Sequence, residues 1–392
     1  MTRPIRVGIV GARFAAHFHW EGYRRLYGVP VEVVGVTSKS RESAEAFARA
    51  YGIRAVASLQ ELCEAVDVID LCTPGSTHEP LAIAALARGK HLVIEKPFTG
   101  YYGPSAADDF RGDTFAKEIM LREALASCDR ILQAARAAGR KICYAENWVY
   151  APAIQKEREI LQKSGGQILW LIADESHSGS HSPYYGSWKF SGGGSLVGKG
   201  CHPLSAALYL KGAEGEARDG RPIRPATVSA RTHEITRLPS FRDAGFLRRH
   251  YEDVEDYGQM HVTFEDGTVA DIFASELALG GVHNWLEVCA NNHRTRCNLN
   301  PTNALETYNP QEGLLKDVYV VEKIGTKQGW SHPAPDEPWQ HGYPQEFQDF
   351  MESLYSDREP RSGGALARDT VAVLYSAYVS AARRGAEVEI PR

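Results

Sequence analysis

Runs of consecutive apolar residues alternate with amphipathic stretches through the first 145 residues. Residues 5–10 and 31–37 are two such runs, the second rich in β-branched side chains. Residues 66–73 (closed by Pro74), 91–95 and 142–145 add three more. Between them the apolar spacing is helical over 14–27, 41–51, 79–88 and 117–138. Ser40 is placed to cap the second helix, and Gly52, Gly89 and Gly139 end the last three. Strands that are nearly all apolar, separated by helices, predict a parallel sheet covered on both faces. Right-handed crossovers then make it doubly wound. Residues 101–115 mix Gly, Pro, Asp and aromatics without period, which predicts a loop just past the end of the 91–95 strand.

Beyond residue 150 the pattern changes. Residues 151–164 read as one helix, and strands dominate from 167 onward. Residues 259–264 and 268–275 flank Glu265-Asp266-Gly267, a hairpin signal. Residues 285–290 and 294–299 form a further antiparallel pair, 203–210 a helix, and 212–225 a polar surface loop. Helical patterns return at 342–356 and 365–384. The chain therefore reads as α/β: a doubly wound parallel domain over 1–145, then a domain over 146–392 with an open, mostly antiparallel sheet. Its last helices can pack back on the first domain. A sheet with so few helices leaves one face uncovered, which favours a homo-oligomer.

Composition narrows the class. The 392 residues carry 44 Lys and Arg against 49 Asp and Glu, so no basic excess points to nucleic acid. With 43% hydrophobic and 24% charged residues the chain can bury a large core. No apolar run approaches the ~18 residues of a membrane helix. Met1 to Pro4 leads directly into a strand, so no signal peptide is expected. The seven cysteines are scattered without a CxxC pair, which fits a reducing, cytoplasmic setting.

The turn after the first strand carries the first candidate chemistry. A dinucleotide-binding turn wants glycine for the tight turn, for approach to pyrophosphate and for helix packing. Gly11 supplies the first and Ala16 can serve as the third, but Arg13 stands at the second. Gly11, Arg13, Phe14 and Ala15 are thus candidate cofactor contacts; the competing reading is a strand–helix turn with no ligand. The acid expected at the end of the second strand is replaced by Ser38, followed by Lys39 and Arg41. Hydroxyl and cationic groups tolerate a 2′-phosphate, so the reading leans from NAD towards NADP. Alternatively, Lys39 and Arg41 are a solvated helix start.

Three further runs carry a resemblance: Cys72-Thr73-Pro74-Gly75-Ser76-Thr77-His78, Ala85 through His91, and Glu95-Lys96-Pro97. Together with Gly192-Gly193-Gly194-Ser195-Leu196 and Gly200-Cys201-His202, they are similar to the hallmark runs of the Gfo/Idh/MocA oxidoreductases. The resemblance covers essentially the whole chain. It implies a Rossmann domain followed by an open-sheet α/β domain, and an NAD(P)-dependent dehydrogenase of a sugar, polyol or glycoside, often a homodimer or homotetramer. It also places Thr73, Pro74, His78, Glu95 and Lys96 at the cofactor. Three positions depart from the family pattern. Gly198 stands where the family usually has Asp, Val149 where it has Arg, and Ser205 where a second Asp is frequent.

Oxidising a secondary alcohol requires a hydride acceptor and a base within reach of the hydroxyl. Lys96 lies at the C-terminal edge of a parallel strand, where open sheets bind ligands, and Pro97 restricts its backbone. Its ammonium can stabilise developing alkoxide charge. His202 precedes a helix with Pro203 in its first turn, a setting that favours neutral, basic imidazole. Gly198 offers no carboxylate to oppose that. Lys96 and His202 are the candidate catalytic pair; their bland readings are an exposed strand-end lysine and a helix-capping histidine.

Glu175, His177, His181 and Trp188 lie in a polar, aromatic stretch suited to a sugar, with Tyr185 a second stacking surface. Glu146 and Asn147 follow the domain crossover and complete the substrate candidates with His202. Tyr101 and Tyr102, close behind Lys96, either cover the nicotinamide site or simply pack, and His341 and Tyr343 are weaker candidates of the same kind. Glu175, His177 and His181 could instead hold a metal with His202, but loop spacing does not force convergence, so none is expected. His19 matches a family position yet packing explains it as readily, and Trp20 and Tyr23 read as core. Two alternatives to a dehydrogenase stay open: redox-assisted glycoside cleavage with a recycled cofactor, and a non-catalytic NAD(P) sensor.

Overall fold

The computed structural model describes residues 3–104, 109–180, 182–300 and 304–392. The first part runs β1 (Ile5–Val10), α1 (Phe14–Arg24), β2 (Val31–Thr37), α2 (Arg41–Tyr51), β3 (Arg54–Ala55) and α3 (Leu59–Ala65). It continues through β4 (Val68–Leu71), α4 (His78–Leu86), β5 (His91–Glu95), α5 (Lys117–Ala138) and β6 (Ile142–Ala145). The six strands pair in parallel in the order β3-β2-β1-β4-β5-β6. Val7, Ile9, Ile69, Leu92 and Ile94 are fully buried, as near-continuous apolar strands between two helical layers require. Strand order reverses between β1 and β4, which opens a crevice at the C-terminal edge. The Ser40 cap and the left-handed Gly52 and Gly139 stand where the sequence places them.

The chain then forms α6 (Asn147–Tyr150), α7 (Pro152–Ser164), β7 (Ile168–Ser176), α8 (Trp188–Ser191) and α9 (Cys201–Asp219). Strands β8 (Pro225–His233), β9 (Tyr257–Phe264), β10 (Val269–Ser275), β11 (His283–Ala290) and β12 (Arg294–Asn298) follow. A small hairpin, β13 (Thr307–Asn309) and β14 (Gly329–Ser331), precedes α10 (Glu337–Gln340), α11 (Tyr343–Tyr355), α12 (Gly364–Ala382) and β15 (Val388–Glu389). The second sheet has the order β12-β11-β7-β10-β9-β8-β15, antiparallel except for the β7–β10 pair. Helices α9 and α12 cover its inner face, and α12 also packs on α5 and β6 of the first sheet. No helix among the described residues is long and apolar enough to cross a membrane.

Two expectations need correction. Residues 212–219 are the end of α9 rather than loop. Lys211 and Arg218 both bond Glu214, at 2.7 and 2.9 Å, so polar residues are held in helix by their own pairing. Gly212 and Gly215, which read as breakers, sit inside the helix; a Cβ on Gly215 would lie 2.5 Å from the Ile223 nitrogen. Nor does Pro203 begin a free helix, because a π-helical turn over Leu196–Gly200 runs straight into α9.

Alanine at Gly215 tests this packing. Helix propensity alone favours Ala by ~1 kcal/mol, but overpacking against backbone costs about 1–3 kcal/mol. Gly215→Ala should therefore lower the urea midpoint, and a raised midpoint would show that the contact is dispensable.

Candidate active site

The crevice begins at the β1–α1 turn. Gly11 has φ +108°, and a Cβ there would meet the Cys72 carbonyl oxygen at 2.4 Å, so only glycine fits. Ala16 is buried against the sheet. Helix α1 starts without a side-chain cap and without an acid in its first turn. Its leading N–H groups are thus unclaimed by side chains and suited to an anion such as a pyrophosphate. Arg13 and Phe14 are exposed beside them, and Ala15 is half-buried. After β2, Ser38 is half-buried and Lys39 exposed, while Arg41 is tied to Glu45 at 2.8 Å.

At the ends of β4 and β5, Thr73 accepts from the Thr77 hydroxyl and Pro74 is exposed. His78 does not face the crevice as a cofactor contact would. It is fully buried, its ring nitrogens 2.8 Å from the Thr73 carbonyl and 3.1 Å from that of Pro97, so it braces two loops. Glu95 takes the Lys96 backbone N–H at 2.7 Å. The Lys96 ammonium reaches across to the Gly198 carbonyl at 2.9 Å. Burial opposes its charge, but Tyr185, Cys201, Glu175 and Glu95 outweigh that and hold it well above the ordinary lysine range.

His202 is brought to the same place. Its Nδ1 donates to Glu146 Oε1 at 2.5 Å, and both groups are buried. The expectation that no carboxylate opposes a neutral imidazole is therefore wrong: the acid comes from Glu146, just past β6, instead of from position 198. A Cβ on Gly198 would meet only the Tyr185 ring, at 3.7 Å. Burial raises the Glu175 carboxyl despite the charges of His202, Lys96 and Lys199. Burial, then the charge of His202, lowers His341 to about 4. Glu146 Oε2, Glu175 Oε2 and His341 Nε2 have no hydrogen-bond partner among the described residues. Buried acceptors without partners beside an ammonium and an imidazole suit the hydroxyls of a polyol.

The remaining candidates divide. His177 accepts from the Gly179 N–H at 3.0 Å, near the buried Lys199–Glu276 ion pair and Ser180. His181 lies outside the described residues. Trp188 is not a stacking surface: it is buried, donates to the Tyr101 carbonyl at 3.0 Å and packs on Tyr378. The more exposed Tyr185 is left as the aromatic near Lys96. Asn147 is buried and commits its amide to the His341 carbonyl at 2.8 Å, so it positions His341 instead of offering a free group. Tyr102 is half-buried and packs against Gly75 and Gly192. Glu146, Cys201 and His202 present ligand atoms within 4.8 Å of one another. The Lys96 charge beside Cys201 works against a divalent cation there. Sequence reasoning missed Lys199, Glu276 and Asp70. The last had a signal, an acid inside the apolar run Val68-Ile69-Asp70-Leu71, which must find a partner.

Comparison with known proteins identifies the family and the fold that carry these residues. Residues 5–108 match a family described as "Oxidoreductase family, NAD-binding Rossmann fold", and residues 155–294 match "GFO/IDH/MocA C-terminal domain". UDP-N-acetylglucosamine 3-dehydrogenase of Acidithiobacillus ferrooxidans is 34% identical over 95 residues, 24% of this chain and 29% of that one. Inositol 2-dehydrogenase 4 of Saccharopolyspora erythraea is 38% identical over 101 residues, 25% and 30% of the two chains. The matched stretch thus spans about three tenths of these curated relatives. D-glucoside 3-dehydrogenase of Escherichia coli is 25% identical over 251 residues, 62% of this chain and 61% of that one. The solved structure of GenD2 from gentamicin A biosynthesis, in complex with NAD, superposes with a TM-score of 0.80 at 23% identity. It covers 100% of this chain and 98% of its own, and shows the fold.

The Lys199–Glu276 pair gives a stability prediction. Glu276→Leu leaves an ammonium buried and should destabilise by about 3–5 kcal/mol, whereas the Lys199→Met/Glu276→Leu double variant should recover most of that loss. Urea denaturation of the three proteins checks it; a double variant no better than the single one would disprove a desolvation cost.

Proposed function

This chain belongs to the Gfo/Idh/MocA oxidoreductases, and we propose that it moves a hydride between NAD(P) and a secondary hydroxyl of a sugar, polyol or glycoside. The observation that carries this reading is that Lys96, bonded to the Gly198 carbonyl, and the His202–Glu146 pair both act on the Glu175 carboxyl at the C-terminal edge of the parallel sheet. The uncapped start of α1 and the Gly11 turn would hold the dinucleotide. When bound, the nicotinamide takes or returns the hydride.

In oxidation, Lys96 donates a hydrogen bond to the reacting oxygen and offsets its developing negative charge. His202 accepts the hydroxyl proton, and Glu146 orients the ring and stabilises the imidazolium that forms. Glu175 and His341 hold neighbouring hydroxyls. Lys96 exchanges its bond to the Gly198 carbonyl for the substrate. A second reading rests on Glu175, a buried carboxyl that hydride transfer alone does not need. After oxidation it could remove the proton beside the new carbonyl, releasing a leaving group from the next carbon; water would add and the hydride would return. Bond cleavage without net NAD(P)H formation separates the two readings.

For the cofactor we keep the lean towards NADP, on the exposed Lys39 and the hydroxyl of Ser38; the Arg41–Glu45 pair leaves Lys39 the freer cation. The outer face of the second sheet, with Trp170 exposed and Trp285 stacked on Arg296 at 4.5 Å, supports a homo-oligomer.

The purified protein, given NAD or NADP and a panel of glycosides and polyols, should form reduced nicotinamide. His202→Ala should lower kcat by about 10²–10⁴-fold and Lys96→Met by about 10²–10³-fold; full turnover in either removes that residue from its role. Because Lys96 is held above the ordinary lysine range and stays charged, oxidation should show no alkaline fall up to about pH 9, and such a fall would contradict its role. Lys39→Glu should weaken NADP about tenfold and leave NAD unchanged, as titration of each cofactor would show.

A further inference from the structure

One cluster of ionisable groups has no part in the proton transfer above. His19, on α1, is fully buried between the ends of β4 and β5. Its Nδ1 donates to both Asp70 oxygens at 2.9 Å, and its Nε2 donates to Glu95 Oε1 at 3.1 Å. Ionised carboxylates only accept, so with Asp70 and Glu95 both ionised the two ring nitrogens both donate, as an imidazolium does. Burial opposes that charge, but Asp70 and Cys72 outweigh it and hold His19 well above the ordinary imidazole range.

The surroundings leave this cation balanced by two anions. Tyr23, also on α1, donates to Asp70 at 3.0 Å, and the Cys72 sulfur lies 3.2 Å from Nδ1. From α11, burial pushes the Glu346 carboxyl well up, and the Phe347 ring packs edge-on at 4.7 Å. Asp70, His19, Glu95 and Lys96 thus form a chain of alternating sign, running from inside the sheet to the edge of the crevice.

A nicotinamide carries one positive charge when oxidised and none when reduced. A fixed charge near it therefore enters the two binding free energies unequally. We infer that His19 is a positioning residue which offsets the Asp70 and Glu95 carboxylates beneath the crevice, and so sets the relative affinity for oxidised and reduced dinucleotide. It acts through Glu95, whose other oxygen holds the Lys96 backbone. This inference rests on the dinucleotide reading above.

The test is calorimetric titration of the full-length protein with NAD and, separately, NADH, without sugar, so that turnover plays no part. His19→Gln removes the cation and should shift the affinity ratio towards the oxidised form by about five- to tenfold. Asp70→Asn removes one anion and should shift it the other way. A merely structural loss would weaken both forms alike. Equal ratios in the unmodified protein and both variants overturn the inference while leaving the dinucleotide reading intact. If His19→Gln does not fold, the near-isosteric Asp70→Asn decides the matter by itself. Failure of the unmodified protein to bind either form would overturn the dinucleotide reading, and this inference with it.

Discussion

A carboxylate just past the last parallel strand and an imidazole on the long helix beneath the second sheet meet at 2.5 Å, both out of water. Much of the architecture serves that contact and its companion, the bond from Lys96 to the Gly198 carbonyl. Each joins a residue on the first sheet's edge to one on the π-turn and α9. Buried charged groups are costly unless paired, so the two halves of the chain have an electrostatic reason to hold one arrangement.

The C-terminal helix enforces that arrangement from behind. Tyr375 on α12 donates to the Gly192 carbonyl and accepts from the Tyr101 backbone, tying the glycine run to the loop after Lys96. One turn on, Tyr378 bonds Glu255, which takes the backbone N–H groups of Gly194 and Leu196. Burial pushes the Glu255 carboxyl up to about 7 against those bonds. Glycine at 194 is required because a Cβ there would meet the Glu255 carbonyl oxygen at 2.1 Å. The residues that present Gly198, Lys199 and His202 are thus clamped by a helix some 180 positions later, a connection no local pattern carries.

Where local rules dominate, the chain was readable. Five of the six parallel strands, Ser40, Gly52, Gly139 and the full extent of α5 follow from apolar period and capping chemistry, whereas the two exposed residues of β3 carry no such period. The helix α3 was harder, because its seven residues are too few to show a period, although Ser58 caps it through the Glu61 N–H. The end of α9 was misread because its glycines look like breakers until the chain at residues 221–223 is seen lying against them. Trp188, His78 and Asn147 were misjudged for a related reason. Composition shows that a side chain can contact a ligand, but not whether the protein has already occupied its hydrogen-bonding groups.

Residue types and spacing by themselves determined the parallel sheet, its nucleotide-type turn and the two residue types suited to moving a proton and steadying an oxygen. Those depend on contacts a few positions apart. Tertiary structure alone decided that Glu146 would supply the carboxylate missing at Gly198, and that Asp70 and Glu95 would share one histidine ring. The partners in these bonds are between 51 and 76 positions apart. Only the packed core, where an unpaired charge is too costly to leave, selects which of the many acids in the chain each histidine meets.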